Sequence, residues 1–221
     1  MTTFALVGAG PGLGLACARR FGAAGHTVAL LARNAEHLDS LVAELGRDGI
    51  QARGYTADVL DADSLTTALQ RAGEELGPVE ILQFSPVPRA DFMKPVLDTG
   101  PADLDDPLAF SIKGPLACVN AVLPGMRALG RGTLLFVNGG SAVRPHPDRA
   151  GTSIAFAGES AYAAMLHDVL AGENIHAAQL IVPGAISPES ERSSPSVLAE
   201  RLYALHTDRD GFRHYAEPMP T

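Results

Sequence analysis

The sequence predicts an α/β domain: a doubly wound parallel sheet between two layers of helices, shortened at its C-terminal end. Three observations predict it. Short apolar runs alternate along the chain with stretches of helical spacing. The apolar runs are continuous, as strands covered on both faces require. The first run ends in a glycine-rich turn, Gly8-Ala9-Gly10-Pro11-Gly12-Leu13-Gly14, which opens a helix. The 221 residues fit one domain over 1–221, and 46% apolar composition supplies a sizeable core.

The elements follow in order. Residues 4–7 are the first strand, stopping at Gly8, and 15–24 the first helix. Residues 28–32 are the second strand, stopping at Arg33-Asn34. Leu38, Leu41, Val42 and Leu45 recur at helical spacing, and a third strand precedes Asp58-Val59. Leu65, Leu69, Ala72 and Leu76 share one face of the next helix, and 79–84 form the fourth strand. Residues 85–101 are proline-rich and irregular. A helix over 103–126 carries Pro115, which should kink it. Residues 133–137 are a strand, followed by a helix over 152–171 with Tyr162, Met165, Leu166, Val169 and Leu170 as its packing stripe. Residues 175–182 are the sixth strand, 187–196 a polar segment, and 196–206 the last helix. Only 212–216 could add a short edge strand. Gly25, Gly46, Gly77 and Gly172 stand where helices should stop.

Charge and composition exclude several classes. The balance of 17 basic against 25 acidic residues, −8, without a basic cluster, argues against nucleic acid or anionic membrane as partner. No apolar run approaches the ~18 residues of a membrane span. No basic segment precedes a long apolar one at the N-terminus, so no signal peptide is read. Cys17 and Cys118 lie far apart in helical segments and form no pairing pattern, which suits a reducing, cytoplasmic location. His, Cys and acids show no metal-ligand spacing, and no GxSxG hydrolase motif occurs.

The strand–turn–helix context gives the glycine turn its chemistry. Glycine lets the backbone turn tightly and approach a pyrophosphate closely, and the helix N-terminus offers free N–H groups to the phosphates. Gly8, Gly12, Leu13 and Gly14 are therefore expected to bind a dinucleotide on a Rossmann-like fold. At the end of the second strand a ribose-binding acid is absent, and Arg33 stands beside Asn34. Arg33 suits a 2′-phosphate, which makes the expected cofactor NADP(H); a solvated surface arginine is the alternative.

These residues resemble the short-chain dehydrogenase/reductase family over about residues 4–206. Gly8, Gly12 and Gly14 match its GxxxGxG turn, and Arg33-Asn34 resembles the basic signature of its NADP-preferring members. Asp58-Val59 matches the pair that lies against the adenine, with a simple turn as the other reading of Asp58. Pro183-Gly184 matches the Pro-Gly near the nicotinamide. The resemblance implies a small-molecule substrate and a homo-oligomer paired through the two long helices.

The family's Tyr-x-x-x-Lys motif is missing. Four residues after Tyr55, Tyr162, Tyr203 and Tyr215 stand Val59, Leu166, Thr207 and Met219. Spacing puts Gly139, Thr152 and Phe156 at the family's Ser, Tyr and Lys positions, and Ser111 at its helix Asn. The Asn-Asn-Ala-Gly that usually ends the fourth strand reads Gln83-Phe84-Ser85-Pro86. Three residues are weak catalytic candidates. Ser141 lies two residues past the Ser position, or merely closes a turn. His146 is of a residue type suited to acid–base work, or is an exposed loop residue. Tyr162 lies ~15 Å along the helix from Thr152 and fits the packing stripe. Ser85 and Arg89 stand beside the expected cleft, Ser85 as a cofactor contact. Three functions remain open: an atypical NADP-dependent oxidoreductase of a small carbonyl or alcohol, a non-redox enzyme on the same fold, or a silent nucleotide-binding protein.

Overall fold

The computed structural model describes residues 1–219. Seven strands form one sheet in the order β3-β2-β1-β4-β5-β6-β7, and every neighbouring pair is parallel. They are β1 (Thr3–Val7), β2 (Thr27–Ala32), β3 (Ala52–Thr56), β4 (Val79–Phe84), β5 (Gly132–Gly139), β6 (Ile175–Val182) and β7 (Arg213–Tyr215). The helices are α1 (Leu13–Ala23), α2 (Ala35–Arg47), α3 (Ala62–Leu76), α4 (Asp105–Leu108), α5 (Gly114–Leu129), α6 (Ala150–Leu170) and α7 (Pro195–Asp208). The order reverses between β1 and β4, and open α/β sheets bind ligands at the carboxyl ends of strands beside such a reversal.

Successive strand residues point to opposite faces, so each apolar run serves two cores. Phe4, Leu6, Val28, Leu30 and Ile81 pack with Phe21 of α1, Leu38 of α2 and Leu198 of α7. Ala5, Val7, Leu31, Leu82 and Phe84 pack with Leu65 of α3, Val119 of α5 and Ala163 of α6. A smaller third cluster joins Phe92, Phe110, Ala142, Phe156 and Ile181 near the carboxyl ends of β5 and β6.

Several expectations need correction. Gly46 stays inside α2, and the left-handed residue that follows the helix is Gly49, at φ +76. Gly172 lies in a 3-10 turn after α6, and Asn174 takes the left-handed conformation. The helix expected over 103–126 is built in pieces: α4, a π turn at Ala109–Lys113, then α5. Pro115 lacks the N–H that would bond back along a regular helix, and the wider π turn falls just before it. The stretch Pro101–Leu129 is long and apolar enough to cross a membrane by length and composition. Cys118, Val119, Val122 and Met126 of this stretch are buried in the core beneath the sheet.

The stripe expected on α6 holds in part: Leu170 is buried in the core and Tyr162 and Leu166 pack against it. Met165 and Val169 are 59% and 70% exposed, while Ala155, Phe156, Glu159, Ser160 and Ala163 face inward. Apolar residues surround this helix, so their spacing alone does not select the inner face. His167 Nδ1 donates to the Ala177 carbonyl at 2.9 Å, and its ring meets His176 edge-on.

Candidate functional site

The glycine turn joins β1 to α1 at the reversal of strand order. The N–H groups of Gly8 and Ala9 both donate to the Leu31 carbonyl at 3.0 Å, and Ser85 N–H donates to the Val7 carbonyl at 3.1 Å. Gly8 has φ +90, and a Cβ there would lie 2.5 Å from Pro86 Cα. Only glycine lets the chain leaving β4 pass so close. Gly14 serves packing, because a Cβ there would lie 3.3 Å from Ala9 Cα and from Leu6 Cδ2. At Gly10 and Gly12 a Cβ would meet nothing within 4 Å. The turn thus presents bare backbone to open space, with the N-terminal N–H groups of α1, Leu13 and Gly14 among them, behind it. That is a cradle for an anion.

A cavity of about 500 Å³ opens beside this turn, between Pro11, Gly12 and Ala16 and the facing Pro188, Ser194 and Pro195. Sequence reasoning marked the polar segment but singled out none of these facing residues. Their only signal was position, just beyond the carboxyl end of β6.

The other expected cofactor residues line up along the same rim. Arg33 stands exposed at the end of β2 with no side-chain partner among the described residues. Most other arginines are engaged, as Arg19 is with Glu44 and Asp48, and Arg89 with Asp91 and Asp106. Asn34 caps α2, its Oδ1 accepting from His37 N–H at 3.0 Å. Asp58 Oδ1 accepts from Leu60 N–H at 3.0 Å in a local turn, and Val59 packs against the second and third clusters. Ser85 Oγ accepts from Gln83 Nε2 at 2.9 Å. Pro183 and Gly184 follow β6, and a Cβ at Gly184 would lie 2.8 Å from Glu217 Oε1.

The positions counted as catalytic also converge. Gly139 ends β5, and a Cβ there would lie 3.9 Å from Phe156 Cε2. Thr152 is buried, its hydroxyl donating to the Arg149 carbonyl at 3.2 Å. Phe156 is buried in the third cluster. Ser141 lies half-buried in the 3-10 turn Gly140–Ala142. His146 is exposed, and its Nδ1 accepts from Asp148 N–H at 3.2 Å. Tyr162 packs on the main core, and burial pushes its phenol up to about 12, away from neutral proton transfer.

One ionisable group was missed. Glu159 is fully buried one turn beyond Phe156, and neither carboxyl oxygen has a hydrogen-bond partner among the described residues. Burial pushes its carboxyl up to about 8, while the neighbouring Asn138 and Ser111 side chains draw it down. Neither neighbour makes a well-formed hydrogen bond to it, so burial dominates. A polar chain reaches this site from the sheet edge. Arg213 donates to Ser160 Oγ at 2.7 Å and to Gln179 Oε1 at 2.9 Å. Gln179 Nε2 in turn donates to Asn138 Oδ1 at 2.8 Å. A glutamate inside the inward spacing of Phe156, Ser160 and Ala163 was the signal in the sequence.

Comparison with known proteins agrees with this architecture. A family profile described as short chain dehydrogenase matches residues 2–197. A short chain dehydrogenase of Pseudocercospora fijiensis is 30% identical over 200 residues, covering 87% of this chain and 62% of that protein. Among its first curated relatives the chain spans 49% to 62% of their length. The crystal structure of a short-chain dehydrogenase from Rhodopseudomonas palustris superposes with a TM-score of 0.87 at 25% identity, covering 98% of each chain. An NADPH-bound short chain oxidoreductase from Pseudomonas aeruginosa, described as containing an atypical catalytic center, shares the fold. Its TM-score is 0.86 at 19% identity, covering 100% of this chain and 97% of that one. With the glycine turn at the β1/β4 reversal, the all-parallel sheet and a profile match over nearly its whole length, the chain belongs to the short-chain dehydrogenase family.

Proposed function

We propose that this protein binds NADP(H) and acts as an atypical oxidoreductase on a small carbonyl or alcohol. The observation that carries the cofactor is the pairing of a bare backbone cradle at Gly10 and Gly12 with an unpaired Arg33 at the end of β2. The cradle suits a pyrophosphate and Arg33 a 2′-phosphate. Gly8, Gly12, Leu13, Gly14, Arg33, Asn34, Asp58, Val59, Ser85, Pro183 and Gly184 are the proposed cofactor residues. Asn34 and Asp58 offer what their structural hydrogen bonds leave free. The NADPH bound by the Pseudomonas aeruginosa neighbour supports the choice of cofactor.

When bound, the nicotinamide supplies or accepts a hydride. This chain contributes little acid–base chemistry around it. Thr152 does not ionise near neutral pH, Phe156 carries no charge to lower a neighbour's pKa, and Gly139 has no hydroxyl to orient a carbonyl. General acid–base help is worth ~10²–10⁴-fold, so turnover of simple ketones and aldehydes is expected to be very slow. A carbonyl panel with NADPH followed by absorbance tests this. Turnover on the order of 1–10³ s⁻¹ would show that the catalytic residues lie elsewhere, with Ser141, His146 and Tyr162 the first to mutate. If turnover is slow, the triple change Gly139→Ser, Thr152→Tyr, Phe156→Lys is expected to raise it.

A second reading is favoured by one observation. Phe156 is buried among Phe92, Phe110 and Ile181 where the spacing calls for a ribose-binding lysine. A folded, NADPH-binding protein that stays inactive even as the triple variant would be a non-redox enzyme or a silent nucleotide-binding protein.

A further inference from the structure

Resting on the oxidoreductase reading, we propose that residues 217–219 form a strap whose Met219 fills the substrate side of the cleft, and that the substrate is apolar-bodied rather than a polyol. The chain is firmly held up to Ala216. Its N–H donates to the Ile181 carbonyl at 2.8 Å, and Arg201 Nη1 donates to the Tyr215 and Ala216 carbonyls at 3.0 and 2.7 Å. From there the strap crosses the carboxyl ends of β6 and β5. Glu217 lies against Gly184, and Met219 Cε would touch a Cβ on Gly140 at 3.2 Å. At both glycines a Cβ would press on the flexible ends of strap side chains.

Met219 packs against the third cluster, whose aromatic members are Phe92, Phe110 and Phe156. The wall is built on purpose-shaped backbone. A Cβ on Gly151 would lie 2.5 Å from the Phe92 carbonyl oxygen, and Ala150 N–H donates to the Lys94 carbonyl at 2.9 Å. The excursion that carries Phe92 is thereby pinned to the first turn of α6. The cluster is built of apolar side chains, with Ser141 beside Ala142 and the buried Thr152 one turn from Phe156, its hydroxyl already donating to the Arg149 carbonyl. A ligand with one polar group and an apolar body matches that lining. A polyol would exchange its water hydrogen bonds for aromatic rings. The flexible thioether fills such a space without specifying it, so an apolar ligand can take its place. A cavity of about 480 Å³ between Arg192, Arg201 and the strap gives the strap somewhere to go.

The test uses the full chain labelled with carbon-13 on its five methionine methyl groups, with Met219→Leu to assign one resonance. The Met219 methyl is expected away from the free-methionine position before any addition. NADPH with acetophenone should move it to the free position, while NADPH with D-sorbitol leaves it in place. Met219→Ala is expected to bind acetophenone about threefold to tenfold more tightly, because the plugged fraction is removed. A Met219 methyl already at the free position would overturn the strap. So would a signal that acetophenone leaves unmoved while NADPH binds in an Arg33-dependent way. Displacement by D-sorbitol overturns the apolar preference. Absence of NADPH binding overturns the oxidoreductase reading and this inference with it.

Discussion

Replacing Glu159 by glutamine keeps the side chain's shape and removes its proton chemistry. The wild-type carboxyl is raised from 4.5 to about 8 by complete burial. A carboxyl raised on folding stays protonated where the unfolded chain has already released its proton. The folded state therefore binds more protons between those two values, and stability falls as pH climbs through that window, levelling above about 8. At ~1.36 kcal/mol per pH unit, the integrated loss between about pH 5 and about pH 8.5 is roughly 4 kcal/mol. Against a typical total of ~5–15 kcal/mol this is large. Urea unfolding of wild type and Glu159→Gln at both pH values measures it. The stability gap should move by roughly 4 kcal/mol in favour of the variant at the higher pH, or ~8–16 °C in melting temperature. Using the difference between two pH values cancels any fixed cost of fitting the amide beside Ser111 and Asn138. A gap that does not change with pH would refute the neutral buried acid.

On the acid side, burial lowers His176 and His206 to about 4, so both favour their neutral forms in the fold and stability should fall as pH drops below 6.5. Thermal melts of Glu159→Gln should show this acid limb alone, and a flat profile down to about pH 4 would contradict it. Gly8→Ala should cost roughly 2–4 kcal/mol by denaturant titration, because φ +90 and Pro86 Cα at 2.5 Å oppose a side chain together. Ile154, Met165 and Val169 share an exposed face of α6, with Leu116 exposed on the neighbouring α5. This face is proposed to pair copies of the chain. Light scattering should give a multiple of 23.0 kDa, reduced by Val169→Asp; a monomer mass for wild type at micromolar concentration would contradict it.

The fold was legible wherever one local rule dominated. Continuous apolar runs marked β1, β2, β4, β5 and β6, because a strand covered on both faces has no polar side. The edge strand β3, Ala-Arg-Gly-Tyr-Thr, is half exposed and had to be inferred from its place before Asp58. Gly46 and Gly49 lie three residues apart, and only tertiary packing decides which one ends α2. The glycine turn was legible because its chemistry is local. The surroundings of Phe156 were not, since Phe92, Phe110 and Met219 come from three distant stretches of chain. Glu159 was overlooked because the stripe on α6 was followed only from Tyr162 onward, with the outward Met165 and Val169 included in it. Choosing the inward face would have exposed a carboxylate in the core.

Calorimetric titration of the wild-type chain and Arg33→Ala with NADPH and NADH tests the central claim most directly. Charge-assisted pairing with the 2′-phosphate is worth roughly 1.5–3 kcal/mol, so wild type should favour NADPH by about tenfold to a hundredfold. Arg33→Ala should bind the two with similar affinity and leave NADH binding unchanged. Equal affinities in the wild type, or a preference that survives the loss of Arg33, would contradict the account.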